Sequence, residues 1–139
     1  MEHYDLVVIG GGPSGYAGAM RAIDFSKKVL LIEKKRIGGT GVYDGVLTSK
    51  TLWEQALKVA SIREMIPDYI PRFDDFAKIV NEAVFERKTQ MTVHLQLLKK
   101  KKKKLFFYEK GTAYISNKNE VRITKEDGTS RFVSCDNIL

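Results

Sequence analysis

The stretch Val7-Val8-Ile9-Gly10-Gly11-Gly12-Pro13-Ser14-Gly15 constrains what this chain can fold into more than any other. An apolar, β-branched run that breaks into glycines has to leave a strand through a tight turn, where glycine alone carries no steric penalty. Tyr4 to Ile9 is nearly continuous in apolar character, the pattern of a parallel strand buried on both faces. Pro13 falls in the first turn of the helix that follows, where a missing amide hydrogen costs little. Tyr16, Ala17, Ala19, Met20, Ala22 and Ile23 carry that helix on, with small residues toward the sheet. Gly18 would weaken a free helix by about 1 kcal/mol, so it is read as a close-packing position. Val29-Leu30-Leu31-Ile32 then makes a second buried strand, closed by Glu33.

Gly10, Gly12 and Gly15 match G-x-G-x-x-G, and each has its own task. Gly10 permits the turn, Gly12 lets the backbone approach a pyrophosphate, and Gly15 lets the helix pack on the strand. With Pro13 and Ser14, these residues form the candidate cofactor cradle. The amides at the helix start, helped by the positive end of its dipole, suit a pyrophosphate. Glu33 lies eighteen positions beyond Gly15, where a carboxylate accepts hydrogen bonds from ribose hydroxyls. Strand, helix and strand make one Rossmann-type unit of about thirty residues. Adenosine with a free 2′-hydroxyl occurs in NAD and in FAD, so these residues leave both open.

At 139 residues the chain has room for one domain with a real core. No apolar run approaches the roughly 18 residues of a membrane span, and Met1-Glu2-His3 lacks the basic start of a secretory signal. The expectation is a soluble, cytoplasmic protein with no membrane partner. Cys135 is the single cysteine, which excludes an intramolecular disulfide and a thiol pair. Net charge is +7, but six lysines lie in one run, Lys99 to Lys104; without them the balance is 7 − 6 = +1. That run reads as a solvated helix end and not as a nucleic-acid face, since no aromatics interleave it. His3 and His94 stand far apart and near no other ligand type, so no metal site is expected.

Further along, a loop from Lys34 to Gly45 precedes a helix over Thr48 to Ile66, in which Leu52, Trp53, Ala56, Leu57 and Ala60 recur at three and four and predict a buried stripe. Trp53 is accordingly read as core. Pro67 and Pro71 mark a turn. A long helix starts near Asp74, where two aspartates suit its positive end, and finishes in the lysine run. The period then changes to two: Leu105 to Tyr108, Thr112 to Ile115, Val121 to Thr124 and Arg131 to Ser134 predict a small antiparallel meander, with Cys135 as a strand residue. Asn137-Ile138-Leu139 reads as the start of a further strand with an unpaired edge.

The loop carries a more specific signal. Gly38-Gly39-Thr40-Gly41-Val42-Tyr43-Asp44-Gly45-Val46-Leu47-Thr48-Ser49-Lys50 resembles the segment G-G-T-C-x-x-x-G-C-x-P-S-K of the pyridine nucleotide-disulfide oxidoreductases. Gly38, Gly39, Thr40, Gly45, Ser49 and Lys50 agree, whereas Gly41 and Val46 replace the two redox cysteines and Thr48 replaces the proline. Glu33-Lys34 and Gly111-Thr112-Ala113 extend the likeness, the latter resembling the G-x-A stretch whose backbone contacts adenine.

The resemblance implies an α/β fold: a Rossmann-type FAD-binding domain with a parallel sheet, a long helix and a small antiparallel β-meander. It implies FAD as cofactor, with Gly38, Gly39, Thr40, Lys34, Gly111 and Ala113 adding contacts to it. Lys50 would lie beside the reactive edge of the isoalloxazine. Family members are several times longer, so residues 1–139 are expected to be the N-terminal portion of the FAD domain, lacking NAD(P)-binding and interface domains. Without thiols, disulfide reductase activity is not expected, and transhydrogenase-like hydride transfer through FAD fits better. NAD(P)H would enter only if the missing domains were supplied, by a homodimer or a complementing chain. The chain alone is expected to hold FAD weakly or not at all. A non-catalytic adenine-nucleotide-binding or interaction module is the alternative.

Overall fold

A computed structural model describes all 139 residues. Strand β1 (Glu2–Ile9) leads through the glycine turn into helix α1 (Pro13–Asp24) and strand β2 (Val29–Glu33). Helices α2 (Gly39–Tyr43), α3 (Val46–Met65) and α4 (Phe73–Lys101) follow, and then strands β3 (Phe106–Lys110), β4 (Thr112–Asn117), β5 (Glu120–Thr124) and β6 (Ser130–Ile138). The strands form one mixed sheet in the order β3-β2-β1-β6-β5-β4. β3, β2, β1 and β6 run parallel, while β4, β5 and β6 are antiparallel. This is the expected α/β architecture. No helix is long and apolar enough to cross a membrane.

The period of two along a strand sorts the core into two clusters. Val8, Val29, Leu31 and Phe106 face the helices, against Ala19 and Ile23 of α1 and Met91 and Leu95 of α4. Val7, Leu30 and Ile32 face the other way, with Val121 and Ile123 of β5 and Val133 and Cys135 of β6. β5 lies three places from β2 in the sheet yet shares this cluster, so the sheet curls its antiparallel half over the parallel one. β2 is therefore buried along its whole length, as its uninterrupted apolar run requires.

Three expectations change. The stripe Leu52, Trp53, Ala56, Leu57 and Ala60 is exposed, and Trp53 is 66% accessible. α3 instead turns Thr51, Gln55, Val59 and Ile62 inward, toward its neighbour α4. A helical period reveals an apolar side but not which neighbour exists to cover it. Second, β3 belongs to the parallel sheet and not to the meander, because α4 carries the chain back to the free edge of β2, where Val29 pairs Phe106 and Glu33 pairs Lys110. Third, the two segments at the C-terminus are one strand, β6, and its end is paired. Ile138 lies opposite Val7, the Leu139 amide donates to Val7 O at 2.9 Å, and the Ile9 amide donates to Leu139 O at 2.8 Å.

Gly18 has the close-packing role expected of it: the Leu139 side chain occupies the space a Cβ would need.

Two measurements follow from this burial. Leu31→Ala, in a fully buried site, should lower the unfolding free energy by about 2–5 kcal/mol in urea titration, and Leu57→Ala should change it by less than about 0.5 kcal/mol. Trp53 is the only tryptophan, so native fluorescence should be that of a solvated indole, readily quenched by iodide; a blue-shifted, protected emission would contradict the outward face of α3.

Candidate functional site

The site is built where the ends of β1 and β2 meet the glycine turn. The Gly10 amide donates to Ile32 O at 2.8 Å, and Gly10 takes φ +105°, a backbone that side chains rarely adopt. Gly15 has the close approach expected of it, since a Cβ there would run into Gly10 O and Val8. Gly12 is different: nothing lies within 4 Å of the position its Cβ would take. The space over Gly12 is open, as a backbone reserved for a ligand requires. α1 begins at Pro13, which has no amide hydrogen, and the amides of Ser14 and Gly15 have no partner within the helix.

Glu33 sits at the tip of β2 and is 7% accessible. Its Oε2 accepts the Gly11 amide at 2.6 Å and its Oε1 accepts the Lys35 amide at 2.7 Å. A carboxylate has about four acceptor positions, so each oxygen keeps one for a further donor such as a ribose hydroxyl. Gly11 is the residue the spacing argument passes over. A Cβ on it would lie 2.6 Å from Ile37 Cδ1, and its amide is what holds Glu33. Only the pairing of Gly11 with a side chain 22 positions away reveals this, and a motif of local spacing carries no trace of it.

The loop after β2 closes on the same point. Gly38 and Gly39 have φ of +98° and +51°, which only glycine takes without strain, and the Gly38 amide donates to Gly11 O at 2.7 Å. The Gly111 amide donates to the main-chain carbonyl of Glu33 at 3.1 Å, so the Gly111-Thr112-Ala113 stretch starts at the same residue. Ala113 turns its side chain into the second core cluster, which leaves only its backbone for contact.

Two clefts flank this junction. One, of about 470 Å³, is lined by Gly12, Glu33, Lys34, Gly39 and Thr40, together with Lys35 and Arg36. The other, of about 790 Å³, lies between α1, α3 and α4 and brings Gly41, Val46 and Lys50 together with Arg87 and Met91 of α4. Pro13 and Gly41 line both. Every candidate site residue but Gly10, Ser14, Gly15, Gly111 and Ala113 thus lines a cleft, and these five hold the adjoining backbone. Arg87 and Met91 are additions from the long helix, where helical spacing alone reads as packing.

The chemistry of the larger cleft is limited by what Gly41 and Val46 lack. A Cβ at position 41 would stand 2.5 Å from Pro13 Cγ, so the loop is packed against the proline ring with no room for a side chain. Neither position offers a thiol. Cys135 is remote from both, buried on the other face of the sheet, where burial and the charge of Asp136 raise its thiol above the usual range. Beside the cleft, burial likewise raises the Tyr16 phenol, partly offset by the Arg87 charge, and its hydroxyl bonds with His94 Nδ1. No three His, Cys, Asp or Glu side chains are placed to hold a metal ion.

A family model described as pyridine nucleotide-disulphide oxidoreductase matches residues 4–139. The chain belongs to that family. Among the pyridine nucleotide-disulphide oxidoreductases it is 29% identical over 150 residues to glutathione reductase of Yarrowia lipolytica, a match covering 100% of this chain and 32% of that protein. It is 32% identical over 136 residues to dihydrolipoyl dehydrogenase of Bacillus subtilis, covering 93% of this chain and 25% of that one. The fold superposes on the flavoprotein disulfide reductase RclA of Escherichia coli, solved as a Cu(II) complex, with a TM-score of 0.74 and 20% identity, over 99% of this chain and 28% of that one. The chain therefore spans about a quarter to a third of the length of these family members.

Gly12→Ala should leave stability within about 0.5 kcal/mol of the parent, because its Cβ meets nothing, whereas Gly15→Ala should cost at least about 1–3 kcal/mol through overpacking; urea titration of the pair checks this. Cys135 should react with a thiol reagent only as fast as the protein unfolds, so denaturant should accelerate labelling in step with the loss of helical circular dichroism. Rapid labelling of the native chain would contradict the burial of this thiol.

Proposed function

We propose that this chain is the FAD-binding portion of a flavin-dependent oxidoreductase that transfers hydride between NAD(P)H and an acceptor without a redox-active disulfide. The observation that carries the reading is the junction around Glu33. An open backbone at Gly12, free amides at Ser14 and Gly15, and a buried carboxylate with acceptor capacity to spare converge beside a cleft of about 470 Å³. These groups fit the adenosine diphosphate end of the cofactor. When bound, FAD supplies the hydride acceptor and donor.

The residues of this chain bind and orient. The Ser14 and Gly15 amides and the α1 dipole hold the pyrophosphate, and Glu33 receives the ribose hydroxyls. Lys34 and Thr40 border the same cleft. Lys50 borders the larger cleft, where its ammonium group favours negative charge on a reduced ring. Gly41 and Val46 supply no thiolate, so these positions could take no part in dithiol exchange with a bound flavin. The nicotinamide site belongs to further domains or to a partner chain, in a homodimer or a complementing polypeptide, and the setting proposed is cytoplasmic. One feature supports the alternative of an adenine-nucleotide-binding module without catalysis: the adenosine end is fully furnished, while the flavin end offers Lys50 alone as a charged group from the loop motif.

Equilibrium dialysis of the chain against FAD and ADP tests the proposal. Both should bind weakly, with flavin lost on desalting, and Gly12→Ala should weaken both at least about tenfold. Binding of neither, or binding indifferent to Gly12→Ala, would overturn the reading. Flavin retained near stoichiometry through purification would contradict the half-furnished flavin end.

A further inference from the structure

The larger cleft, between α1, α3 and α4, has features that a flavin beside Lys50 leaves unused. Its floor is one apolar surface: Val42 and Met91 are buried members of the first core cluster, and Tyr16, Met20 and Leu47 pack against that same cluster. All five side chains therefore lie on the helix-covered side of the sheet. Its volume of about 790 Å³ suits a small molecule, held by mostly apolar walls that carry a few polar groups.

The charges around this floor leave positive charge to spare. Asp24 is the only acidic residue in the lining, and its Oδ2 accepts from Arg21 Nη1 at 3.5 Å. No carboxylate stands within ion-pair distance of Arg87, whose guanidinium donates only to the Gln90 side-chain oxygen, at 3.3 Å. Arg87 precedes Met91 by four residues, so both lie on the same face of α4. Its charge acts on the Tyr16 phenol of α1, which places the guanidinium across the cleft from that wall, over the apolar floor. Pro13 and Gly41 line this cleft and the smaller one alike, and Pro13 Cγ stands 2.5 Å from where a Gly41 Cβ would be, so together they form the wall between the two. A ligand lying over Met91 and Arg87 need not enter the Glu33 junction.

We propose that the α1–α4 side of this cleft binds a small amphipathic organic anion, its apolar body against Met20, Leu47 and Met91 and its acidic group on the Arg87 guanidinium. The fork of guanidinium donors fits an acid group with two or more oxygens. The thioethers of Met20 and Met91 adapt to an aromatic or irregular body. A neutral apolar molecule would leave the guanidinium unused, and a bare inorganic anion would leave the floor unused. The site goes beyond the proposed function and needs no bound flavin.

Fluorescence titration of the full chain tests this with two probes: anilinonaphthalene sulfonate, and phenylnaphthylamine, which is the same molecule without its acid group. The sulfonate should bind at a single site per chain, at least about tenfold more tightly than the neutral probe. Arg87→Gln should remove most of that difference without shifting the urea midpoint. Ala17→Trp, at an exposed position of the α1 wall, should block both probes by filling the cleft. Gly12→Ala should weaken ADP and leave the sulfonate in place, so the Glu33 junction and this site are read separately. No binding, equal affinity for the two probes, affinity indifferent to Arg87→Gln, or displacement of the sulfonate by ADP would overturn the proposal. Loss of binding in Leu57→Ala would also overturn it, because the probe would then lie on the exposed face of α3.

Discussion

The buried carboxylate of Glu33 is the interaction on which the rest of the site depends. An ionised group withdrawn from water is tolerated only when hydrogen bonds replace its hydration, since the effective penalty is otherwise several kcal/mol. Here the amides of Gly11 and Lys35 do so at 2.6 and 2.7 Å, in the short range of charge-assisted bonds. The Gly11 amide ties the glycine turn to the end of β2. Backbone bonds from Gly38 to Gly11 and from Gly111 to Glu33 draw in the next loop and the start of the meander. Three stretches far apart in the chain, around Gly11, from Glu33 to Gly38 and at Gly111, therefore converge at this junction. On the proposed reading its charge would also make the junction selective, because a carboxylate that accepts ribose hydroxyls repels a 2′-phosphate.

That convergence explains why the two ends of the site differ. Around Glu33 the groups that matter are backbone amides and carbonyls, held by glycine conformations and by the sheet, and they do not depend on side-chain identity elsewhere. At the other end, chemistry depends on side chains, and those of Gly41 and Val46 are inert. The Pro13 ring packs closely against Gly41, with its Cγ 2.5 Å from where a Cβ would stand. The architecture of the family persists here, while positions 41 and 46 carry glycine and valine and so no thiol.

How much of this was legible in the sequence follows from how local each cause is. Gly10, Gly12, Gly15 and Glu33 were legible because a turn, a helix start and a strand end impose residue types at short spacing. The parallel sheet, the long helix and the meander followed from changes of period. The face of α3 was not legible: Leu52, Trp53 and Leu57 mark an apolar side, but whether a neighbour lies against it is a property of the whole chain. Asp136 and Asn137 interrupt the apolar pattern of β6, so one strand read as two. Its continuity comes from pairing with β1, more than a hundred residues away, where the Asn137 side-chain amide also donates to Asp5 O at 3.3 Å. The role of Gly11 is likewise a long-range consequence of folding.

The central claim is that the Gly11–Glu33 junction is a prebuilt cradle for an adenosine diphosphate group. Amide chemical shifts of the ¹⁵N-labelled chain during titration with FAD test it most directly. The account predicts that the largest changes fall on Gly11, Gly12, Ser14, Gly15 and Lys35, with those of Leu52, Trp53 and Leu57 on the exposed face of α3 unmoved. Amides of the glycine turn that stay still while changes gather elsewhere would contradict it.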